Sequence, residues 1–185
     1  MDPFAIITIT EIGVPNFGSV PMEAAIIICA ASGEALFRAY WRIKPPQTLE
    51  NLAPEQRDQI YYCLASNGLA WNPDSAANTY SFVMQNIFEL LLIYEIVHIY
   101  TKGTPQQTEI QKVVDRNNVL ADVTDVTDIG MPKLQHYTVV RDQWCQEHKL
   151  KSQKVAVTYS MQRCCQIQHF LLNYILNDEE SESEE

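Results

Sequence analysis

The stretch FAIITITEIG, residues 4–13, reads as the first strand of a β-sheet and runs into a turn. It is rich in isoleucine and threonine, which favour strands, and two of its threonines, Thr8 and Thr10, are two positions apart. Because successive side chains of a strand point to opposite faces, both hydroxyl groups belong to the same face of the predicted sheet.

Two further strands are predicted directly after the first. MEAAIIICAA at 22–31 and GEALFRAYWRIKP at 33–45 form a hairpin around the tight turn Ser32-Gly33. Pro45-Pro46 ends the hairpin because proline has no N–H group to donate to a strand ladder. The chain therefore opens with three antiparallel strands.

Helices and short strands alternate in the remainder of the chain. We predict helices over 54–66, 79–92, 105–115, 141–149 and 156–177, with strands at 94–100 and 117–122. The order strand, helix, strand adds each new strand parallel to its neighbour. The sequence therefore predicts an α/β fold with a five-stranded mixed sheet, three antiparallel strands and then two parallel additions, flanked by helices.

The composition indicates a single domain inside the cell. With 185 residues and 46% hydrophobic content the chain can bury a full core, and we assign the domain to residues 1–177. No stretch approaches the roughly 18 consecutive apolar residues of a membrane span, and the amino terminus lacks a secretory pattern. We expect an intracellular protein of the cytoplasm or nucleus, without membrane contact. Its five cysteines, an odd number, favour core thiols or metal ligands over disulfides.

The net charge is −10, from 13 basic and 23 acidic residues. Six of the acids lie in the last eight residues, DEESESEE, which we predict to form a disordered acidic tail over 178–185. Subtracting these six charges leaves about −4 for the body of the chain. An acidic body disfavours non-specific binding to nucleic acid.

Two residues are nevertheless candidates for contact with nucleic acid. Lys102 comes just before a predicted helix start, a position suited to a phosphate. Trp71 lies in a predicted loop, where its ring could stack on a base or could form a lid over the apolar edge of the sheet.

The order of elements is that of the ribonuclease H-like fold, and the opening strands resemble those of the DEDDh family of 3′–5′ exonucleases. FAIITITEIG followed by MEAAIIICAASGEALFRAYWRIKPP carries this resemblance, which extends in element order over most of residues 4–176. In that family four acids hold two metal ions about 4 Å apart, which stabilise the attacking and leaving oxygens of the phosphodiester. A histidine is the general base.

The resemblance places the functional residues of that family on positions that lack them in this chain. The two acids of the first strand fall on Thr8 and Thr10. The His-x4-Asp pattern of the last helix falls on Arg163 and Gln168 of RCCQIQHF, and the acid after strand four has no clear counterpart in IVHIYTKGTPQQTEI. Because Mg²⁺ prefers anionic oxygen ligands, we expect that metal-ion hydrolysis is lost while the scaffold is kept.

A second set of residues resembles the signature of the Maelstrom domain. CQEH supplies Cys145 and His148, RCC supplies Cys164, and Glu23 lies in the second strand. Maelstrom is a ribonuclease H-like domain of the piRNA and transposon-silencing pathway, whose animal members have a zinc site in place of the nuclease acids. Stand-alone degenerate exonuclease-like proteins fit this pattern as well.

The resemblance implies a structural zinc ion held by Glu23, Cys145, His148 and Cys164. Two thiolates, an imidazole and a carboxylate can close a tetrahedral zinc shell, and Cys145 and His148 are close enough in sequence to point the same way. Cys165 remains an alternative to Cys164. In the competing interpretation Cys145 is a free thiol, His148 is a surface residue, and the carboxylate of Glu23 pairs with an arginine or lysine.

The sequence therefore predicts a catalytically inactive domain with a structural zinc ion that acts as an interaction module. Its expected partner is a protein, with RNA as an alternative partner and RNA silencing as the implied setting. The competing hypotheses are a single-stranded RNA binder or an unconventional ribonuclease, and then an active 3′–5′ exonuclease. The oligomeric state is left open.

Overall fold

The structure is a computed structural model, and it describes residues 2–16, 18–67, 71, 78–132 and 160–182. The strands are β1 (Phe4–Val14), β2 (Gly18–Cys29), β3 (Ala35–Arg42), β4 (His98–Thr101) and β5 (Asp122–Asp125). The helices are α1 (Pro54–Asn67), α2 (Tyr80–Ile93), α3 (Thr104–Arg116) and α4 (Ser160–Glu182), with a 3-10 turn at Leu49–Asn51. The predicted α/β fold with a five-stranded mixed sheet is confirmed.

The strands follow the order β3-β2-β1-β4-β5 across one sheet. β1 and β3 both pair antiparallel with β2, whereas β4 adds parallel to β1 and β5 parallel to β4. Phe4 lies opposite both Cys29 and His98, and His98 lies opposite Asp122. The starts of β1, β4 and β5 therefore lie side by side with the turn between β2 and β3. We name this end of the strands the amino edge of the sheet, and the opposite end the carboxyl edge.

Both faces of the central strand β1 are buried, which explains its nearly continuous apolar sequence. Ile7 and Ile9 face a core formed with α2 and α3, in which Val83 and Ile110 are buried. Phe4, Ile6 and their neighbours on β2 face α4 instead, where Cys164, Ile167 and Leu171 cover them. Strand alternation therefore puts Thr8 and Thr10 on the face that α4 covers.

The turn predicted at Ser32-Gly33 is present, and Gly33 is required there for two reasons. Its φ of +81° lies in the left-handed region that glycine adopts without strain. A Cβ atom at Gly33 would also come within 2.3 Å of Leu172 Cδ2 on α4. The glycine thus lets α4 approach the amino edge closely.

The strand predicted at 117–122 is wrong, because β5 is Asp122–Asp125. Asn118 adopts φ 53°, and the N–H of Val119 donates to the Val114 carbonyl at 3.1 Å, which closes α3 with a Schellman-type end. The polar pair Asn117-Asn118 therefore ends a helix and does not open a strand.

Other boundaries also differ from the predictions. β2 is Gly18–Cys29 and not 22–31, and β3 is Ala35–Arg42 and not 33–45. β4 begins at His98 and not at 94, and the N-cap of α3 is Gly103, with Thr104 already inside the helix. α4 begins at Ser160 and not at 156, and its backbone continues to Glu182, past the predicted end at 177. The helix predicted at 141–149 lies outside the described residues, and the division into a 1–177 domain and a 178–185 tail stays a prediction. In the described part of the chain, no helix combines the length and apolar character needed to cross a bilayer.

Candidate functional site

The threonine pair of β1 is covered by the first turns of α4. The Thr8 hydroxyl donates to the Ser160 carbonyl oxygen at 2.6 Å, and the hydroxyls of Thr10 and Ser160 share a hydrogen bond at 2.8 Å. Cys164 Sγ lies 3.3 Å from Thr8 Oγ1. Thr8 is 1% exposed, Thr10 7%, and Ser160 and Cys164 are fully buried. We name these four residues the sealed pair site.

The spacing of Ser160 and Cys164 explains how one helix covers both threonines. Residues four apart lie on one face of a helix, and α4 turns this face toward β1. The Cys164 sulfur also lies 3.6 Å from the carbonyl oxygens of Ile6 and Ala25. Burial raises the pKa of the Cys164 thiol to about 12, so the group is a neutral thiol at neutral pH.

A buried carboxylate lies next to the sealed pair site. Glu23 is the strand partner of Thr10 on one side and of Arg42 on the other, and it is fully buried. Its carboxylate accepts a hydrogen bond from the Tyr40 hydroxyl. Burial lowers the pKa of the Arg163 guanidinium, and the nearby charge of Glu23 acts in the opposite direction. Arg42 and Arg163 are therefore the two candidates for the arginine that pairs with Glu23 in the competing interpretation.

The structure corrects the positions of α4 that face β1. Gln168 donates to the Gly33 carbonyl at 2.9 Å and accepts from Arg38 at 3.4 Å, so it lies toward the amino edge. An α-helix rises about 1.5 Å per residue, which puts Gln168 roughly 12 Å along α4 from Ser160. Ser160 and Cys164 contact the threonine pair. Of the two positions that the family resemblance assigned on α4, Arg163 is near Glu23 beside the pair, and Gln168 lies away from it.

Gln106 is a site residue that the sequence analysis missed. Its amide oxygen accepts from the Ile9 N–H at 3.1 Å and from the Thr101 hydroxyl at 3.4 Å. It lies in the first turn of α3, directly after β4, so a polar side chain that follows strand four does reach β1. The position of Gln106 shortly after the Gly103 cap could have indicated its role. It was missed because the sequence analysis looked for an acid after strand four, and Gln106 carries an amide.

Lys102 and the N-terminal end of α3 form hydrogen bonds with other groups of the chain. Lys102 Nζ donates to the carbonyl oxygens of Met131 and Pro132 at 3.3 and 3.0 Å. The Asp125 carboxylate accepts from the N–H groups of Gly103 and Thr127, each at 3.0 Å. The phosphate contact of Lys102 stays a prediction, and this geometry does not favour it.

Asp125 has a perturbed acidity that follows from the same bonds. Burial alone would raise the pKa of its carboxyl group, but the N–H bonds from Thr127 and Gly103 and the charge of Lys102 outweigh this effect. The pKa of Asp125 therefore lies below its ordinary value. The carboxylate acts as a cap for α3.

Trp71 is a core residue in this structure. It is 2% exposed, packs with Ile12, Val20 and Ile60, and its ring N–H donates to the Gln47 carbonyl at 2.8 Å. The alternative of a lid over the apolar end of the sheet agrees with this packing. An exposed face for base stacking is not available on Trp71 here.

Two of the four predicted zinc ligands can be placed. Glu23 and Cys164 lie on the same face of the sheet, since Cys164 contacts the backbone of Ala25, two residues from Glu23. A carboxylate and a thiolate are donor types that zinc accepts, and zinc binding would release the proton of the Cys164 thiol. Cys145 and His148 lie outside the described residues, and among the described ones no three histidine, cysteine or acidic side chains form a metal-binding group. The zinc site stays a prediction.

No protein-family model matches the sequence, and no curated protein matches it. Solved structures do match the fold. E. coli exonuclease I in complex with a 5cy-dA13 oligonucleotide is similar with a TM-score of 0.54 and 11% identity, over 96% of this chain and 43% of that one. The fold of this chain is that of a ribonuclease H-like exonuclease.

Two further structures agree with this assignment. A product-bound exonuclease I gives a TM-score of 0.51 at 10% identity, over 96% of this chain and 46% of that one. The metal-free E. coli ExoI–ssDNA complex gives 0.50 at 12% identity, over 70% and 29%. This chain spans less than half the length of these exonucleases, and at such identities the likeness establishes the fold alone.

Proposed function

We propose that this chain is a catalytically inactive domain of the ribonuclease H-like exonuclease fold, and that it works as an interaction module. The observation that carries the proposal is the sealed pair site. Where the family resemblance expects the first two metal-binding acids, the chain has two hydroxyl groups, and both are hydrogen-bonded to α4.

The chemistry of this site argues against two-metal hydrolysis. Mg²⁺ requires hard, usually anionic oxygen ligands, and paired metals do their work by bridging the attacking and leaving oxygens. Thr8, Thr10 and Ser160 offer neutral hydroxyls, and the nearby side chain from α3 is the amide of Gln106. Among the described residues, the carboxylate of Glu23 is next to Thr10 in the sheet, and it accepts a hydrogen bond from Tyr40.

The packing of the site argues in the same direction. A phosphodiester would reach Thr8 and Thr10 only if the first turn of α4 moved away, because Ser160 and Cys164 contact them directly. Opening this contact would break the two hydrogen bonds that join the threonine hydroxyls to Ser160, each with a net contribution of about 0.5–1.5 kcal/mol.

A nuclease assay tests the proposed inactivity. Labelled single-stranded DNA and RNA are incubated with the purified chain in Mg²⁺ or Mn²⁺, and we expect no nucleotide release above a chelator blank. Release that requires the metal and falls in Thr8→Val or Thr10→Val would overturn the proposal. Thr124→Val, a half-buried strand threonine on β5, is the matched control.

A structural zinc ion held by Glu23, Cys145, His148 and Cys164 is part of this proposal. The placement of Glu23 and Cys164 on one face of the sheet supports it. When bound, zinc would join α4 to the sheet through these side chains. Elemental analysis should find zinc in the wild type, its loss in Cys145→Ser, His148→Ala and Cys164→Ser, and its retention in Cys165→Ser. A metal-free wild type contradicts this part.

A second candidate function is binding of single-stranded nucleic acid. It is favoured by the structural similarity to exonuclease I, which has been solved with single-stranded DNA. The acidic body of this chain opposes it. Fluorescence anisotropy with single-stranded RNA at rising salt separates the two candidates, because tight binding with a steep salt dependence would favour this function. A role in RNA silencing rests on the Maelstrom resemblance alone.

A further inference from the structure

The two helices on one face of the sheet end in the same way at the amino edge. After α2, Glu95 adopts φ 51° and the N–H of Ile96 donates to the Leu91 carbonyl at 2.9 Å. After α3, Asn118 adopts φ 53° and Val119 makes the equivalent bond to Val114. Both connections therefore use one left-handed residue followed by an aliphatic residue that turns into the core.

The residue after each of these aliphatic residues is apolar and exposed. Val97 follows Ile96 and is 36% exposed, and Leu120 follows Val119 and is 90% exposed. The Asp122 N–H donates to the Val97 carbonyl, so the two connections are hydrogen-bonded neighbours at the edge of the sheet. Matched positions on adjacent connections thus present aliphatic side chains to solvent.

The last turn of α2 enlarges this apolar surface. Leu92 is 52% exposed and Ile93 is 72% exposed, and the chain turns from Ile93 to Val97 within four residues. Single exposed apolar side chains are common on soluble proteins, whereas several at one end of a sheet supply the kind of apolar surface that interaction sites use. We name Leu92, Ile93, Val97 and Leu120 the amino-edge patch.

Acidic side chains lie beside this patch and further along the same edge. Glu95 and Asp122 are next to it in the chain, while Asp2 and Glu34 border the starts of β1 and β3, and all four are exposed. Two exposed cations balance part of this charge, Arg116 at the end of α3 and Arg38, which bonds Gln168. The described part of the amino edge is therefore apolar with an acidic rim.

We propose that the amino-edge patch and its acidic rim dock a basic amphipathic helix of a protein partner, with the apolar face of that helix on the patch and its lysines or arginines facing the acids. This inference rests on the interaction-module part of the proposed function and assigns it a surface and a partner chemistry. A second copy of the chain would bring two acidic rims together, and a nucleic acid would bring phosphates to them, so both are disfavoured by like charge.

Binding of a defined probe tests this inference on the full chain. The probe is a synthetic amphipathic peptide with leucine along one helical face and lysine elsewhere, and the control peptide replaces every lysine by glutamate. Isothermal calorimetry should detect binding of the leucine–lysine peptide and weaker or no binding of the leucine–glutamate peptide.

Variants locate the binding site. Val97→Ser with Leu120→Ser should weaken binding of the leucine–lysine peptide by about tenfold or more, because truncating a central apolar contact typically costs this much. Glu34→Gln with Glu95→Gln and Asp122→Asn should have a similar effect that disappears at high salt. The matched controls, Phe82→Ser at the carboxyl edge and Glu55→Gln with Asp58→Asn on α1, should leave the dissociation constant unchanged.

Three results would overturn the inference. The first is equal binding of both peptides, and the second is unchanged affinity in the amino-edge variants. The third is a concentration-dependent dimer in sedimentation that Val97→Ser with Leu120→Ser abolishes, which would assign the patch to a second copy. Metal-dependent nuclease activity in a protein that still binds the peptide at this edge would reject the proposed inactivity and leave the docking surface standing.

Discussion

At the carboxyl edge of the sheet, Thr8, Thr10 and Ser160 bury their hydroxyl groups under α4, whereas at the amino edge Val97 and Leu120 expose aliphatic side chains. A buried polar group costs free energy unless it is hydrogen-bonded. An exposed apolar group contributes hydrophobic free energy only when a partner covers it. The comparison teaches that α4 covers the end of β1 on which the exonuclease resemblance places metal-binding acids. The docking surface that we propose lies at the other end of the sheet.

The largest expected effect comes from placing a charge in the sealed pair site. Thr8→Asp removes the bond to the Ser160 carbonyl and buries a carboxylate facing that oxygen and the Cys164 sulfur. We expect the free energy of unfolding to fall by about 3 kcal/mol or more, measured by urea denaturation. Thr108→Asp, exposed on α3, is the control and should change little. Restoration of Thr8→Asp stability by Mg²⁺ would show that a metal cage persists.

The close approach of α4 at the amino edge gives the next effect. Gly33→Ala adds a methyl group at φ +81° and within 2.3 Å of Leu172, so we expect a loss of about 2 kcal/mol. Gly13→Ala should cost much less, because the added Cβ atom would have no atom within 4 Å apart from those of its chain neighbours. In the double variant Gly33→Ala with Leu172→Ala, the steric conflict is removed, so the loss of stability should be smaller than the sum of the two single losses. A loss equal to that sum would contradict this packing.

Asp125 gives a smaller and pH-dependent effect at the carboxyl end of β5. Asp125→Asn should lower the free energy of unfolding by about 1 kcal/mol at neutral pH, because it weakens the cap on α3. The folded pKa is depressed, so this contribution is complete above the ordinary aspartate pKa of about 3.9 and is lost as the pH falls through the folded value. Unfolding curves of both proteins should therefore converge in acid. A difference that grows in acid would contradict the cap.

The smallest effect sharpens the description of the amino edge. Glu95→Gly relieves a left-handed conformation that is costly for glutamate, so we expect stability to rise by about 0.5 kcal/mol. Glu109→Gly, placed inside α3, should instead lower stability by about 1 kcal/mol. A loss of stability in Glu95→Gly would show that Glu95 makes a contact that outweighs its strain.

The fold could be predicted from the sequence because its signals are local. The isoleucine-rich and threonine-rich run of β1, the isoleucine run of β2, the Gly33 turn and the helical spacing of α2 are each visible in one short segment. The start of β5 was misplaced because Asn118 and Val119 resemble a strand opening while forming a helix end. No local pattern in the sequence indicates which apolar residues are exposed at the amino edge.

The site was predicted in part. Thr8 and Thr10 were recognised as neutral replacements because FAIITITEIG resembles the opening strand of the exonuclease family, and strand periodicity places both on one face. Ser160 and Gln106 were missed, because their role depends on where α4 and the first turn of α3 meet β1 across long sequence separations. The number of residues between the start of α4 and its contact with β1 cannot be read from periodicity, which explains the shift from Gln168 to Ser160.

Paramagnetic relaxation by Mn²⁺ tests the central claim most directly, because Mn²⁺ occupies the carboxylate sites of two-metal nucleases and broadens the amide signals of nearby residues. With backbone signals assigned, the account predicts that the amides of Thr8, Thr10, Gln106 and Ser160 keep their intensity as Mn²⁺ is added. Selective loss of these signals at low Mn²⁺, reversed by a chelator, would contradict the sealed pair site and restore a metal-dependent function.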